Sequence, residues 1–334
     1  MSDKVRKNDP AISRAALVYS VDEGFLPLAC VSIASIVENR AGEMPPVIIL
    51  LHDVDKKSKL NAEQYLTGLE IDFDLFELDG SWCESWASRR GQSQAKFGIL
   101  RFDEFLRQAT ERVLIIDADT RFVDDIKPLL ELSLEGNSLA AVDDIAVIAD
   151  GNVPIFGAKL GLPPGSGYFN SGLLVVDTNK WISEKIGSKT AEVMENRDEI
   201  LTFNDQCALN AVLQGRYTKL EFRWNHLVGS SPMNWPVSML HYAGHLKPWR
   251  LQAAKHVPIL RRLLPSLHFD YYQRMGDELK WHASPFSDNG IFQVLNTFRR
   301  LFVLWTTKRI RSYHRRQNSP HLKRVAVEHP ELLE

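Results

Sequence analysis

Long apolar runs, a cysteine framework and a strong excess of charge are all missing from this chain of 334 residues. No uninterrupted apolar stretch approaches the roughly 20 residues of a membrane-spanning helix. The N-terminal MSDKVRKNDPAISR is basic and polar, with no secretory apolar core behind it. No segment is therefore expected to cross or enter a membrane as a helix. The three cysteines, Cys30, Cys83 and Cys207, are odd in number and widely spaced. That suggests neither disulfides nor a zinc cluster and fits a reducing cytoplasm. The sequence holds no internal repeat and no low-complexity tract. Its formal net charge is only −2, and no nucleic-acid partner is expected.

A hydrophobic fraction of 44 % is enough to bury a large core, in one enlarged α/β domain or two small ones. Residues 16–20, 47–51 and 73–78 read as strands. Residues 25–38, with Ala29, Ile33, Ile36 and Val37 on one face, and 56–69 read as helices. Strand alternating with helix predicts a mainly parallel sheet covered by helices. Residues 92–108 read as a helix carrying Lys96 and Arg101, 125–132 as a short helix and 139–142 as a strand ending in Asp143 and Asp144. From 144 to 165 the prolines and glycines predict a long loop. A buried strand follows at 167–178, a helix at 204–213 that Asn204 can cap, and a strand with a glycine turn in MLHYAGHLKPW, 239–249.

Arg112 to Asp124, RVLIIDADTRFVD, is the stretch where chemistry concentrates. Val113 to Ile116 form a continuous apolar run that suits a strand buried on both faces. Asp117 and Asp119 follow at once. Residues two apart in extended chain point the same way, so both carboxylates converge at the carboxyl end of the strand, where open α/β sheets bind ligands. Two hard oxygen donors there suit Mg²⁺ or Mn²⁺ holding a phosphate. Short acidic pairs also end strands and begin turns for purely structural reasons. The haloacid-dehalogenase phosphatases place a nucleophilic Asp in a similar motif, but that motif wants Thr or Val where this chain has Arg121. Asp22, in the exit loop of the first strand, suits a ribose or base edge, or an N-terminal cap. Cap and dipole chemistry accounts for Asp205 in its first helical turn and leaves Gln206 unexplained.

Separated segments in the same order resemble the retaining glycosyltransferases of family 8, which use UDP-sugars. They are the opening strand with Asp22, LIIDAD at 114–119, YFNSGLLVVD at 168–177, DQCALN at 205–210 and His-x-x-Gly-x-x-Lys-Pro-Trp at 241–249. The resemblance implies a GT-A type, Rossmann-like fold, with a mixed and mainly parallel sheet flanked by helices. It also implies Mn²⁺, or Mg²⁺, held by Asp117, Asp119 and His241. Asp22 would bind the uridine, Gly244 and Lys247 the diphosphate. Asn170, Ser171, Gly172, Asp205 and Gln206 would line the donor sugar, with Gln206 and Asp205 as catalytic residues, and Asp144 would face the acceptor. Two departures stand out. Cys207 replaces the family's third acid after Asp-Gln. Where the family has Tyr-x-Arg before the metal pair, this chain reads KFGILRF, making Arg101 the candidate donor contact and Lys96 its substitute. An amide is a poor nucleophile, which favours retention by front-face attack over a covalent intermediate.

The tail has its own character. From Gly290 onward nine Lys or Arg face three Glu, and no acid lies between Asp288 and Glu328. Ile291, Val294, Leu295, Phe298, Leu301, Phe302 and Trp305 recur at helical spacing. An interfacial helix on an anionic leaflet is expected over 291–324, against the alternative that the stripe docks on the catalytic domain. The expected organisation is a polar segment at 1–14, a catalytic domain at 15–250 and a helical, basic membrane-associating region at 251–334. The expected protein is a cytoplasmic hexosyltransferase, peripheral on the inner face of the membrane. It would move a hexose from a UDP-hexose to a glycan or glycolipid acceptor such as lipopolysaccharide core. A catalytically silent nucleotide- or carbohydrate-binding module is the alternative of a different class.

Overall fold

The apolar runs assemble as adjacent strands because each is buried on both faces. In the computed structural model, residues 14–90, 93–107, 110–232, 234–243, 247–250, 316 and 319–332 are described. Strands β1 (Ala15–Asp22), β2 (Val47–His52), β3 (Phe73–Glu77) and β4 (Arg112–Ile116) run parallel in the order β3-β2-β1-β4. Beyond β4, the short β5 (Thr120–Phe122) leaves this sheet. Then β6 (Leu139–Asp143), β7 (Phe169–Asp177) and β8 (Thr218–Lys219) complete seven strands, in the order β3-β2-β1-β4-β7-β6-β8. Strand β7 is antiparallel to both neighbours. The result is the mixed, mainly parallel α/β sheet expected of a GT-A fold.

Alternation along each strand divides the core. Leu17, Tyr19, Val21, Leu114 and Ile116 face one cluster with Leu28, Ile33 and Ile36 of helix Leu26–Asn39. Ala16, Val18, Val113 and Ile115 face the other, with Phe97, Leu100, Trp181 and Leu209. Each such Leu or Ile contributes about 1.5–3 kcal/mol on burial. The order of connection reverses between β1 and β4, which puts Asp22 and Asp117 at the carboxyl ends of adjacent strands, the usual ligand crevice of an open sheet.

A second sheet delivers the histidine. Its order is β5-β10-β9, with β9 at His226–Leu227 and β10 at Met239–His241. The antiparallel register sets His241 opposite Thr120, the residue after Asp119. Helix Leu26–Asn39 pins β5 from beneath: Ser32 Oγ shares a hydrogen bond with Thr120 Oγ1 at 2.8 Å, and Phe122 N–H donates to Ser35 Oγ at 2.9 Å.

Three expectations change. The long loop at 144–165 contains helices Ile145–Ala149 and Val153–Leu160. Asp144 caps the first, accepting from Ala146 and Val147 N–H at 2.9 and 3.0 Å. Pro154 sits in the first turn of the second, where a missing N–H costs nothing, and Gly161 at φ 70° ends it. Residues 94–105 form tight 3₁₀ turns with a break at Arg101, not a regular helix. Gly98 there lies so close to Ser20 that a Cβ would overlap its hydroxyl. Asn204, with φ 50° and ψ −123°, does not cap helix Asp205–Leu213 through its side chain.

The described end of the tail docks on the α/β body. Helix Pro320–Glu328 sets Leu322, together with Leu332, against Ile145, Ala149, Leu227 and Trp235. Arg316 pairs with Asp150, Nε to Oδ1 at 2.9 Å, and donates to Ser230 Oγ at 3.1 Å. The predicted interfacial helix, apart from Arg316 and residues 319–324, lies outside the described residues, as does the expected contact at Gly244.

Candidate active site

Strand β4 stops at Ile116, and the turn to β5 holds both carboxylates. Asp117 N–H donates to Gly172 O at 3.0 Å, and Thr120 Oγ1 donates to Asp117 O at 2.8 Å. Tyr242 N–H donates to Asp119 O at 2.9 Å, which draws β10 in beside the turn. His241 Nε2 then lies 3.4 Å from Asp117 Oδ2 and 3.4 Å from Asp119 Oδ1. One ligand atom from each of the three falls within 4.8 Å of the others. Asp119 and His241 are buried, whereas the Asp117 side chain keeps 46 % of its exposure and opens the cluster to solvent.

The electrostatics of this cluster favour cations. Burial alone would lower the His241 imidazolium, but its hydrogen bonds to the carboxylates of Asp117 and Asp119 push it up to about 9. Burial alone would raise Asp119, yet Lys247 and His241 hold its carboxyl well below the usual range. Lys247 pairs with Asp119, donates to Tyr242 O and lies 5.4 Å from the Trp249 ring centroid. Gly172 is a glycine because the His241 ring occupies the space of its Cβ. Two carboxylates and one imidazole, packed this tightly and already attracting positive groups, fit a divalent cation such as Mn²⁺.

Next to it stands a buried polar network built by β7 and helix Asp205–Leu213. Asn210 clamps the two, accepting from Phe169 N–H at 3.0 Å and donating to Phe169 O at 3.0 Å. Gln206 Oε1 accepts from Asn170 Nδ2 at 3.0 Å and Ser171 N–H at 3.2 Å. Its Nε2 donates to Asp144 Oδ2 at 3.0 Å and to the Tyr168 hydroxyl at 3.1 Å. Asp205 Oδ1 has no hydrogen-bond partner among the described residues, although Lys96 Nζ forms an ion pair with it at 3.1 Å. The carboxylate raises the Lys96 ammonium, while burial raises Asp205 against the pull of Lys96. Cys207 is buried below, its sulfur 3.1 Å from the Tyr168 hydroxyl and accepting from Phe203 N–H at 3.2 Å. Burial raises this thiol, so the position offers neither the family's carboxylate nor a thiolate.

The expected residues therefore separate into groups. Asp117, Asp119, His241 and Lys247 come together, as do Asn170, Ser171, Asp205 and Gln206. Asp22 stands at the end of β1, its Oδ1 accepting from Gly24 and Phe25 N–H at 3.1 Å each. The Arg101 guanidinium binds Glu104 and stacks over Trp82, whereas Lys96, its expected substitute, reaches Asp205. Arg101 also sits at the break in the 3₁₀ segment, with φ −124° and ψ 18°. Asp144 is 4 % exposed and engaged by Asn170, Gln206 and two backbone N–H groups. Tyr168, Asn210 and Asn225 were not singled out beforehand. The first two lie inside quoted motifs, while Asn225 carries no local signal at all.

The profile of Glycosyl transferase family 8 matches residues 16–253. The chain is 26 % identical over 308 residues to the lipopolysaccharide 1,2-glucosyltransferase of Escherichia coli (strain K12), spanning 86 % of this chain and 85 % of that one. It is 26 % identical over 253 residues to the lipopolysaccharide 1,3-galactosyltransferase of Salmonella typhimurium, spanning 70 % and 72 %. Among solved structures, galactosyltransferase LgtC in complex with donor and acceptor sugar analogs has the same fold. Its TM-score is 0.64 at 22 % identity, over 76 % of this chain and 96 % of that one. The phosphatase alternative falls with these matches. A GT-A type sheet, a clustered Asp-Asp-His site and a family profile across most of the sequence identify the chain as a glycosyltransferase of family 8, related to lipopolysaccharide glycosyltransferases.

Proposed function

We propose that this glycosyltransferase moves a hexose from a UDP-sugar to a cell-surface glycan, lipopolysaccharide core or a related polysaccharide, with retention of anomeric configuration and dependence on Mn²⁺. The observation that carries the reading is the convergence of Asp117, Asp119 and His241 beside the buried network of Asn170, Asp205 and Gln206. The names of the two bacterial relatives support the acceptor class.

Asp117, Asp119 and His241 would hold the cation, which when bound supplies positive charge against the departing diphosphate. Lys247 adds a cation to the same group, and Lys96 takes the donor contact expected of Arg101. Asp22 keeps its second carboxylate oxygen for the uridine. Asp205 Oδ1, ion-paired with Lys96 at 3.1 Å, would accept a sugar hydroxyl beside that cation. Gln206 is a poor nucleophile made poorer, since its oxygen already accepts two hydrogen bonds. Front-face attack follows: the bond from the anomeric carbon to the β-phosphate oxygen breaks, and the acceptor oxygen bonds the same face. The acceptor's proton passes to the phosphate oxygen that leaves.

We take 15–250 as the catalytic unit and 251–334 as a basic region that brings it to the inner face of the membrane. No helix among the described residues is long and apolar enough to cross a membrane. A UDP-hexose panel scored by hydrolysis with and without Mn²⁺ and by thermal shift tests the reading. A donor at 100 times its dissociation constant should stabilise the protein by about 2.7 kcal/mol. Thermal shifts with no turnover of any UDP-hexose would favour the silent binding module instead.

A further inference from the structure

His241 faces the carboxylates through Nε2, so its other nitrogen decides how Nε2 is presented. Nδ1 lies 2.9 Å from Oδ1 of Asn225, a residue 2 % exposed that immediately precedes β9. Which amide atom of Asn225 faces the ring follows from a backbone group two steps away. Gly172 N–H can only donate, and it lies 3.0 Å from Asn170 Oδ1, so that atom is the amide oxygen. Asn225 contacts the same oxygen at 2.8 Å, so it must do so through its NH₂. The Asn225 oxygen is then left for His241, and Nδ1 must carry a hydrogen. At its far end Asn170 donates to Asp144 and Gln206, each at 3.0 Å. A single string of buried amides thus joins the imidazole to Gln206, and its polarity is set by one backbone N–H.

We propose that Asn225 is a positioning residue of the cation site. It keeps the His241 hydrogen on Nδ1, turns the Nε2 lone pair toward a divalent cation beside Asp117 and Asp119, and ties that orientation through Asn170 to Gln206. The inference rests on the reading of Asp117, Asp119 and His241 as a cation site. Ligand histidines held by a fixed acceptor on their second nitrogen lose roughly 10–100-fold in metal affinity when that acceptor is removed. Asn225→Leu removes it at similar size, whereas Asn170 Oδ1 keeps its bond from Gly172 N–H.

The test is Mn²⁺ affinity of the full chain, read from the paramagnetic resonance of free Mn²⁺ at fixed pH. Wild type should bind, and Asp117→Asn should not. Asn225→Leu should bind roughly 10–100-fold more weakly, with Asn225→Asp recovering part of the loss by restoring an acceptor to Nδ1. Leu322→Ala, a truncation in a separate apolar cluster, should lower the melting temperature and leave Mn²⁺ affinity within two-fold, separating positioning from general destabilisation. Should Asn225→Leu not fold, nitrogen-15 spectra of Cd²⁺-loaded wild type decide, with the His241 resonance assigned by its loss in His241→Ala. Affinity of folded Asn225→Leu within two-fold of wild type, or a Cd²⁺-loaded His241 protonated on Nε2, overturns the role of Asn225 alone. Wild type that binds no Mn²⁺, or Asp117→Asn that binds it equally well, overturns the cation site and this inference with it.

Discussion

Gly172 shows how one missing side chain supports the site. The His241 ring lies where its Cβ would be, and that ring is held from behind by Asn225 and in front by two carboxylates. Gly172→Ala should therefore displace His241, at about 1–3 kcal/mol of overpacking, and weaken Mn²⁺ binding at least tenfold. Circular dichroism with a Mn²⁺ titration checks that the fold survives while binding is lost. Asp117→Asn or Asp119→Asn should abolish transfer, and His241→Ala should weaken the dependence on metal. Full activity of the double Asn variant in metal-free buffer would refute the assignment. Gln206 and its neighbour Cys207 should behave oppositely. Gln206→Ala leaves Asn170, Ser171 N–H and Asp144 each short of a buried partner, at about 1–3 kcal/mol apiece, and should cost most of the activity. Cys207→Ala removes only a neutral, buried sulfur and should keep much of it. A folded but inactive Cys207→Ala protein would show that the thiol does more than pack.

The elements that matter most here are short. Strands β5 and β10 have three residues each, yet their antiparallel ladder sets His241 opposite the Asp117–Asp119 turn. Helix Ile145–Ala149 has five, and its cap Asp144 also receives Asn170 and Gln206. The docked helix Pro320–Glu328 packs against this same short helix, with Ser319 Oγ donating to Ala149 O at 2.6 Å. Leu322→Ala should then cost about 2–5 kcal/mol of local stability and open the tail to limited proteolysis near residue 316. Unchanged cleavage and melting temperature would show that the tail does not depend on this contact.

For the molecule as a whole, the docked helix changes how membrane association must be tested. Cutting the chain before Gly290 also removes Arg316 and Leu322, which pack on the α/β body. Replacing Arg299, Arg300, Lys308, Arg309 and Arg311 with Glu leaves that contact in place, and at about 1 kcal/mol for each cation near an anionic leaflet it should abolish co-sedimentation with anionic vesicles at low salt. Hydrolysis of UDP-sugar should persist, and equal sedimentation of both proteins would rule out this route to the membrane. The apolar runs at 113–116 and 47–51, and the spacing of Asp117 and Asp119, were legible in the chain itself because strand burial and side-chain alternation are local properties. Motifs such as YFNSG and DQC pointed to Asn170 and Gln206 through the family resemblance, each being a compact string. The pairing of Lys96 with Asp205, the inward turn of Asp144 and the contact of Asn225 with His241 were not legible. Each depends on contacts between segments 16 to 109 residues apart, made by a kinked 3₁₀ segment, a five-residue helix and a four-residue 3₁₀ turn. Elements so short have no period to read, and only packing against the rest of the fold decides where their side chains go.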